Sequence, residues 1–244
     1  MVRLKILTPP EYDFEPVYLK VREKEGRLYD VNQIRKLPDV PVNHPHFKEW
    51  KIRKAGLTHF IEYVSTKKEI LSILEVGCGN GWFGAAVADH FPDIEVTGCD
   101  LNMYELKLAD KAFELSNFHL IYADIFKELQ KEIKAYDLVV LPSSAQYFPD
   151  FDKLIITLLK LGAEVHIMDT PFYEVEQLKK AASRSTHYYH RLGFPKMAEM
   201  YFHHSIQDLN KYKPQFLYKP PTGWKKRFAR SPFPWVRLTK PQTK

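Results

Sequence analysis

The 244-residue chain has only two cysteines, Cys78 and Cys99, and they do not form a CxxC pair. Two such cysteines exclude a disulfide framework and lack the spacing of zinc ligands, so each is expected to be a small buried thiol and no metal is expected. Long apolar runs are also missing: no stretch approaches the roughly 20 residues needed to cross a bilayer. The opening segment Met1–Pro10 is broken by proline too early for a secretory core, and a cytoplasmic location is expected. Acid is missing from the end of the chain. After Asp208 there are ten Lys and Arg and no Asp or Glu, so residues 1–208, with 26 basic against 30 acidic side chains, carry −4 while the whole chain carries +6. A basic end of this kind suits phosphate, anionic lipid or nucleic acid, or simply a solvated surface.

Glycine is scarce as well, ten in all, yet three of them crowd into Gly77-Cys78-Gly79-Asn80-Gly81. On either side, short apolar runs alternate with segments of helical period. Ile73–Val76, Ile94–Cys99, Phe118–Tyr122, Tyr136–Leu141 and Glu164–Met168 read as strands. Trp82–Phe91, Tyr104–Leu115, Ile125–Ile133 and Phe151–Leu161 read as helices between them, with another at about Phe47–Val64. Strands that alternate with helices of this length argue for βαβ units and a parallel sheet. Beyond Pro171 the rhythm changes to a long helix, Tyr173–Leu192, and a short one capped by Ser205 over Ile206–Lys211. Gln215–Tyr218 and Pro234–Leu238 are candidate last strands. Residues 1–46, punctuated by proline and without a strong period, are expected to be an extension packed on a main domain of residues 47–244. Residues 171–232 are expected to hold a lid-like, substrate-side insertion.

The glycine run opens the helix that follows the first of these strands, where a backbone turn can approach a nucleotide ligand closely. Gly79–Gly84 alone also satisfies the GxGxxG pattern of nicotinamide-binding proteins. Three acids distinguish the cases. Glu75 precedes the turn, Asp100 closes the second strand and Asp124 closes the third. A carboxylate in the loop suits a cationic cofactor with an ammonium and a sulfonium, and would repel a diphosphate.

Glu75-Val76-Gly77-Cys78-Gly79-Asn80-Gly81 resembles the first motif of the class I S-adenosylmethionine (SAM)-dependent methyltransferases, and the stretch Pro142–Asp150 with Asp169-Thr170-Pro171-Phe172-Tyr173 resembles that of uncharacterised bacterial members. The resemblance covers about residues 47–170. It implies a Rossmann-like α/β fold: a doubly wound sheet of about seven mostly parallel strands, helices on both faces and an antiparallel last strand. It implies SAM as cofactor and S-adenosylhomocysteine (SAH) as product. Asp100 matches the ribose-binding acid and Asp124 the acid near the adenine amino group, with Leu101 and Ile125 beside them. Gly77, Cys78, Gly79, Gly81 and Pro142 match the surrounding cradle. Glu75 matches a contact to the methionine ammonium or an anchor of the loop, and Arg53 a partner for the cofactor carboxylate. Tyr136–Leu141 matches the fourth-strand motif, with Asp137 at its start.

The acceptor is less legible. After the fourth strand, Pro142-Ser143-Ser144-Ala145-Gln146-Tyr147-Phe148-Pro149 departs from the Asn/Asp-Pro-Pro-Tyr pattern of many amino-group methyltransferases. Gln146 and Tyr147 are candidates for the acceptor pocket, and Tyr147, His203 and His204 for a general base. The expectation is transfer to a small or lipid-like acceptor. Two alternatives stay open: a SAM-binding regulator without catalysis, and an RNA methyltransferase using the basic end and its interleaved Trp224, Phe228, Phe233 and Trp235.

Overall fold

The computed structural model describes residues 4–9, 13–127, 135–221, 223–224, 229 and 231–240. Its core is an eight-stranded sheet. The strands are β1 (Leu4–Ile6), β2 (Ser72–Val76), β3 (Glu95–Asp100), β4 (Phe118–Tyr122), β5 (Tyr136–Pro142), β6 (Gly162–Met168), β9 (Gln215–Tyr218) and β10 (Trp235–Thr239). They lie in the order β1-β4-β3-β2-β5-β6-β10-β9. All neighbours from β1 to β6 pair in parallel, and β10 runs antiparallel to both β6 and β9. Two further short strands, β7 (Phe172–Tyr173) and β8 (His204–Ser205), pair apart from the sheet.

A central strand buried on both faces is apolar along its buried length, as β5 is from Leu138 to Pro142. Leu138 and Val140 enter one core and Val139 and Leu141 the other, as the two-residue period of a strand requires. The first core is closed by α3 (Phe47–Ser65), α4 (Trp82–His90) and α5 (Met103–Ala112), through Phe60, Phe83 and Leu106 among others. The second is closed by α6 (Phe151–Leu161), whose Leu154, Ile155 and Leu158 are wholly buried. Asp150 starts α6 by accepting a hydrogen bond from the Lys153 amide at 2.9 Å. The sheet is thus doubly wound, and the chain reverses its direction of travel between β2 and β5.

The expected seven strands are present, with one addition. Leu4–Ile6 joins the edge beside β4. The N-terminal region also forms α1 (Phe14–Lys24) and a short helix, α2 (Val31–Ile34). In α1, Phe14, Val17, Tyr18 and Val21 share one face at helical spacing. That face packs on Tyr189 of α7 (Val175–Leu192), on Met197 and Tyr201 just beyond it, and on Tyr147. α1 and the stretch from α7 to Tyr201 therefore pack as one cluster, while Tyr29, Ile34 and Leu37 of the N-terminal region enter the first core. The expected helix over Ile125–Ile133 lies largely outside the described residues, and 125–127 form a turn.

The C-terminal end is partly core. Val236 and Leu238 of β10 are buried, the Trp235 indole donates to His166 Nδ1 at 3.0 Å, and Arg237 forms an ion pair with Glu164. Trp224 is exposed, and Phe228 lies outside the described residues. Among the described residues, no helix is long and apolar enough to cross a membrane.

Candidate active site

A cavity of about 390 Å³ opens at the carboxyl ends of β2, β3, β4 and β5. This is the point where strand order reverses, and ligands of doubly wound sheets bind there. Four turns floor it, and each continues a buried strand.

The turn after β2 holds Gly77, Gly79 and Gly81 at φ of +75°, +52° and +74°, a region that costs other residues strain. Gly77 has no room for a side chain: a Cβ there would lie 2.4 Å from Ser144 Cβ. Ser144, in the turn after β5, donates to the Val76 carbonyl at 2.6 Å, so the two turns are clamped together. Ser143 beside it takes φ +58°. Gly77, Cys78, Gly79 and Asn80 line the cavity, while Gly81 sits behind them against Ala109 at the start of α4.

Glu75 is buried at the end of β2, and its Oε2 accepts from the Gly84 amide at 2.8 Å. Its carboxyl is pushed up to about 8 by burial, partly offset by that bond. It lines the cavity and also ties β2 to α4. Asp100, at the end of β3, accepts from the Gly79 amide at 2.7 Å and from the Asn102 amide at 2.9 Å, and burial pushes it up to about 6. Glu105, on the first turn of α5, is pushed up to about 7 by burial and then by the Asp100 charge. Asp124, after β4, accepts from the Phe126 amide at 2.8 Å, and its own amide donates to Thr8 Oγ at 2.8 Å. Leu101, Ile125 and Pro142 complete this end of the cavity. Asp137 stands elsewhere: it binds the Leu71 and Ser72 amides where the strands begin, and is structural.

The opposite wall comes from α1 and α3. Arg22, Arg27 and Arg53 all line the cavity, together with Phe14, Tyr18 and Trp50. Arg53 pairs with Glu49 at 2.8 Å and lies 5.0 Å from the Trp50 ring. Glu49 also pairs with Arg27, and its carboxyl falls to about 2 because these two guanidinium groups outweigh the cost of burial. Tyr147 lies in the cavity and accepts from Arg22 Nη2 at 2.5 Å.

The two histidines stand outside the cavity lining. His203 is hydrogen-bonded to Ser185 at 3.0 Å. His204 is buried, stacks on Phe151 with ring centroids 4.6 Å apart, and bonds the Ala145 carbonyl at 2.9 Å. Sequence reading assigned no role to Arg22, Arg27, Tyr18 or Glu105. The helical spacing of residues 14, 17, 18 and 21 was the available signal for Tyr18 and for the helix that carries Arg22; Arg27 lies in the loop beyond it.

The arrangement has the chemistry of a site for a ligand that is cationic at one end. Glu75, Asp100, Glu105 and Asp124 converge there, and a diphosphate would meet four acids. Two buried oxygens of lining residues, Asn80 Oδ1 and Gln146 Oε1, have no hydrogen-bond partner among the described residues. Buried acceptors in that condition call for donors from a ligand or water.

Residues 73–164 match the family described as "Methyltransferase domain". The chain is 31% identical over 111 residues to a malonyl-[acyl-carrier protein] O-methyltransferase of Priestia megaterium, an alignment covering 45% of this chain and 40% of that protein. It is 38% identical over 72 residues to a release factor glutamine methyltransferase of Fusobacterium nucleatum, covering 28% of this chain and 20% of the relative. The chain thus spans less than half the length of the curated relatives it matches. Among solved structures, magnesium protoporphyrin IX methyltransferase from Synechocystis PCC 6803 with bound SAM superposes with a TM-score of 0.58 at 12% identity, covering 96% of this chain and 100% of that one. A plantazolicin methyltransferase in complex with a monoazolic desmethylPZN analogue and SAH gives 0.54 at 16% identity, covering 92% and 100%. At these identities the likeness is one of fold.

Proposed function

We propose, from the premise that residues 73–164 form a class I methyltransferase domain, that the chain binds SAM in this cavity and transfers its methyl group to a small or lipid-like acceptor. The observation that carries the reading is the Gly77–Gly79 turn held by Asp100. A carboxylate at the end of β3 already aligned by two backbone amides is poised to accept from ribose hydroxyls. Asp124 and Ile125 are placed for the adenine. Glu75, Asn80 and Gln146 supply acceptor oxygens for an ammonium, and Arg53 a guanidinium for a carboxylate.

Bound SAM supplies an electrophilic methyl group on a sulfonium. The chain's residues do the rest by position. The clamp between Ser144 and Val76 fixes the turn after β5 against the cofactor loop, so that Gln146 and Tyr147 face any acceptor beside the donor. α1 and the segment Glu199–Phe202 cover the cavity on the side away from the cofactor loop, where they would shield an in-line approach from water. Tyr147 is the one base candidate with a place in the cavity.

The RNA-modifying alternative has less support, because Trp235 belongs to the sheet and not to a basic strand-binding surface. The regulatory alternative is separated by turnover. Methyl-labelled SAM incubated with the protein and a fractionated cell extract is expected to label the small-molecule or lipid pool. Label in RNA alone, or none in any pool despite SAM binding, would overturn the proposal.

A further inference from the structure

A second, smaller cavity of about 130 Å³ opens at the carboxyl end of β6, beside the hairpin of β9 and β10. It shares no lining residue with the larger one. One wall is α3, a turn beyond Arg53, at Gly56 and His59. The other wall is made by Tyr218, Phe233 and Trp235. That wall is fixed at two points. The Tyr218 hydroxyl donates to the Ser231 carbonyl at 3.0 Å across the hairpin. The Trp235 indole is held by His166 and stands edge-on to the Tyr63 ring, with centroids 5.7 Å apart.

Asp169, the residue that follows β6, lines the same pocket. It takes φ +51°, an uncommon conformation for a residue with a side chain. Its carboxylate lies against α3 at Gly56, where a Cβ would stand 2.8 Å from Oδ2. Glycine inside a helix weakens it, and here the missing side chain leaves the space that the carboxylate fills. Among the described residues this carboxylate has no hydrogen-bond donor and no ion-pair partner. Arg53 acts on it only from a distance and pairs with Glu49. Burial pushes Asp169 up to about 6, so it is ionised at neutral pH.

A partly buried anion without a partner calls for a cation. A metal ion needs several ligands, and no cluster of three His, Cys, Asp or Glu side chains suited to one occurs among the described residues. A primary ammonium has three N–H donors to satisfy and would meet one carboxylate and aromatic rings. A methylated ammonium has few donors or none, and aromatic rings attract its charge while they cover its methyl groups. The pocket has room for roughly four waters, or for one such group. We propose that this pocket binds a methylated ammonium group, with Asp169 as its counter-ion and Tyr218, Phe233 and Trp235 as its walls. The proposal stands apart from the cofactor reading, because the two cavities are lined by different residues.

The test is titration of the purified protein with choline, ethanolamine and dimethylbutanol, the neutral carbon isostere of choline. Binding is followed by the NMR signal of the Trp235 indole N–H, identified with Trp235→Phe. Choline is expected to shift that signal saturably, with a Kd in the low millimolar range or tighter, and to bind at least ten-fold more tightly than either of the others. Asp169→Asn keeps the shape of the side chain and tolerates positive φ, and is expected to weaken choline ten-fold or more. The remaining tryptophan signals report that this variant is folded. Asp100→Asn, in the larger cavity, is expected to leave choline binding unchanged within about two-fold. No saturable shift up to tens of millimolar choline, equal binding of ethanolamine or of the neutral isostere, or an Asp169→Asn protein that binds choline as tightly as the original would overturn the proposal. Loss of choline binding in Asp100→Asn would overturn it as well, by moving the site to the larger cavity.

Discussion

At the scale of single residues, Glu75 holds two jobs in tension. Its position two residues before Gly77 marks it in the sequence as part of a cofactor loop. The structure adds that its Oε2 accepts from the first turn of α4. A carboxyl pushed up to about 8 keeps a proton in the folded state that the unfolded chain gives up near 4.5. Folded protein then binds more protons than unfolded, so stability is full below the unfolded value and falls as pH rises through 8. Between pH 7 and 8.5 the buried histidines, His166 and His204, which are lowered by burial, are neutral in the folded protein and the depressed carboxyl of Glu49 is fully ionised, while Glu105, pushed up to about 7, adds a smaller fall at the lower end of the window. Without cofactor, unfolding free energy is therefore expected to fall from pH 7 to 8.5, by at most about 1.4 kcal/mol per pH unit for Glu75. Glu75→Gln should flatten that fall and raise Tm at pH 8.5. An unchanged slope in urea melts at several pH values would assign it to other groups.

At the scale of elements, legibility followed burial. Phe118–Tyr122 and Phe151–Leu161 have the bounds that sequence period predicts, because their buried positions recur at every second residue in the strand and at helical spacing in the helix; Gln215–Tyr218 has them too, although it is a partly exposed edge strand. The elements missed were α1, α2, β1, β7 and β8, and the long helix expected from Tyr173 begins at Val175 because Phe172–Tyr173 pairs with His204–Ser205. Three residues make too short a strand to show a period, and the surrounding prolines and charges hide the four-residue apolar stripe of α1. Its stripe packs in the cluster with α7 rather than in the main core, so its hydrophobicity is diluted by Arg22 and Tyr18, which serve the cavity. The same distinction explains His203 and His204. A dense aromatic and histidine cluster reads as a pocket, yet it packs α7 and β8 while Tyr147 alone of the three base candidates reaches the cavity. The strand-turn-helix at Gly77 is the most constrained of these elements. Gly77→Ala adds a Cβ 2.4 Å from Ser144 Cβ at φ +75°, and is expected to lower Tm and abolish SAM binding. Gly193→Ala, at φ +92° with open space around it, should cost only about 1–2 kcal/mol of backbone strain and leave SAM binding intact. Calorimetry and thermal melts on both variants check this; a Gly77→Ala protein with native SAM affinity would remove the loop from the site.

At the scale of the whole molecule, the sheet places its charges. The reversal between β2 and β5 brings four acids to the cavity, and α1, the loop after it and α3 bring Arg22, Arg27 and Arg53 to its opposite wall. Net charge gave no hint of this, because the excess of positive charge lies after Asp208, where β10 takes part of the segment into the core. Glu75, Asp100 and Asp124 were readable from their strand ends and Arg53 from the family resemblance; Glu105 on α5, Arg22 and Arg27 were not, because only the fold turns them into the cavity. Direct titration of the purified protein with SAM, SAH and NADH in a calorimeter tests the nucleotide assignment most simply. SAM and SAH are expected to bind one to one at micromolar concentration, and Asp100→Asn is expected to weaken both by roughly 10–100-fold, the loss of a charged hydrogen-bond acceptor. Binding of NADH with neither SAM nor SAH bound at high micromolar concentration would contradict it.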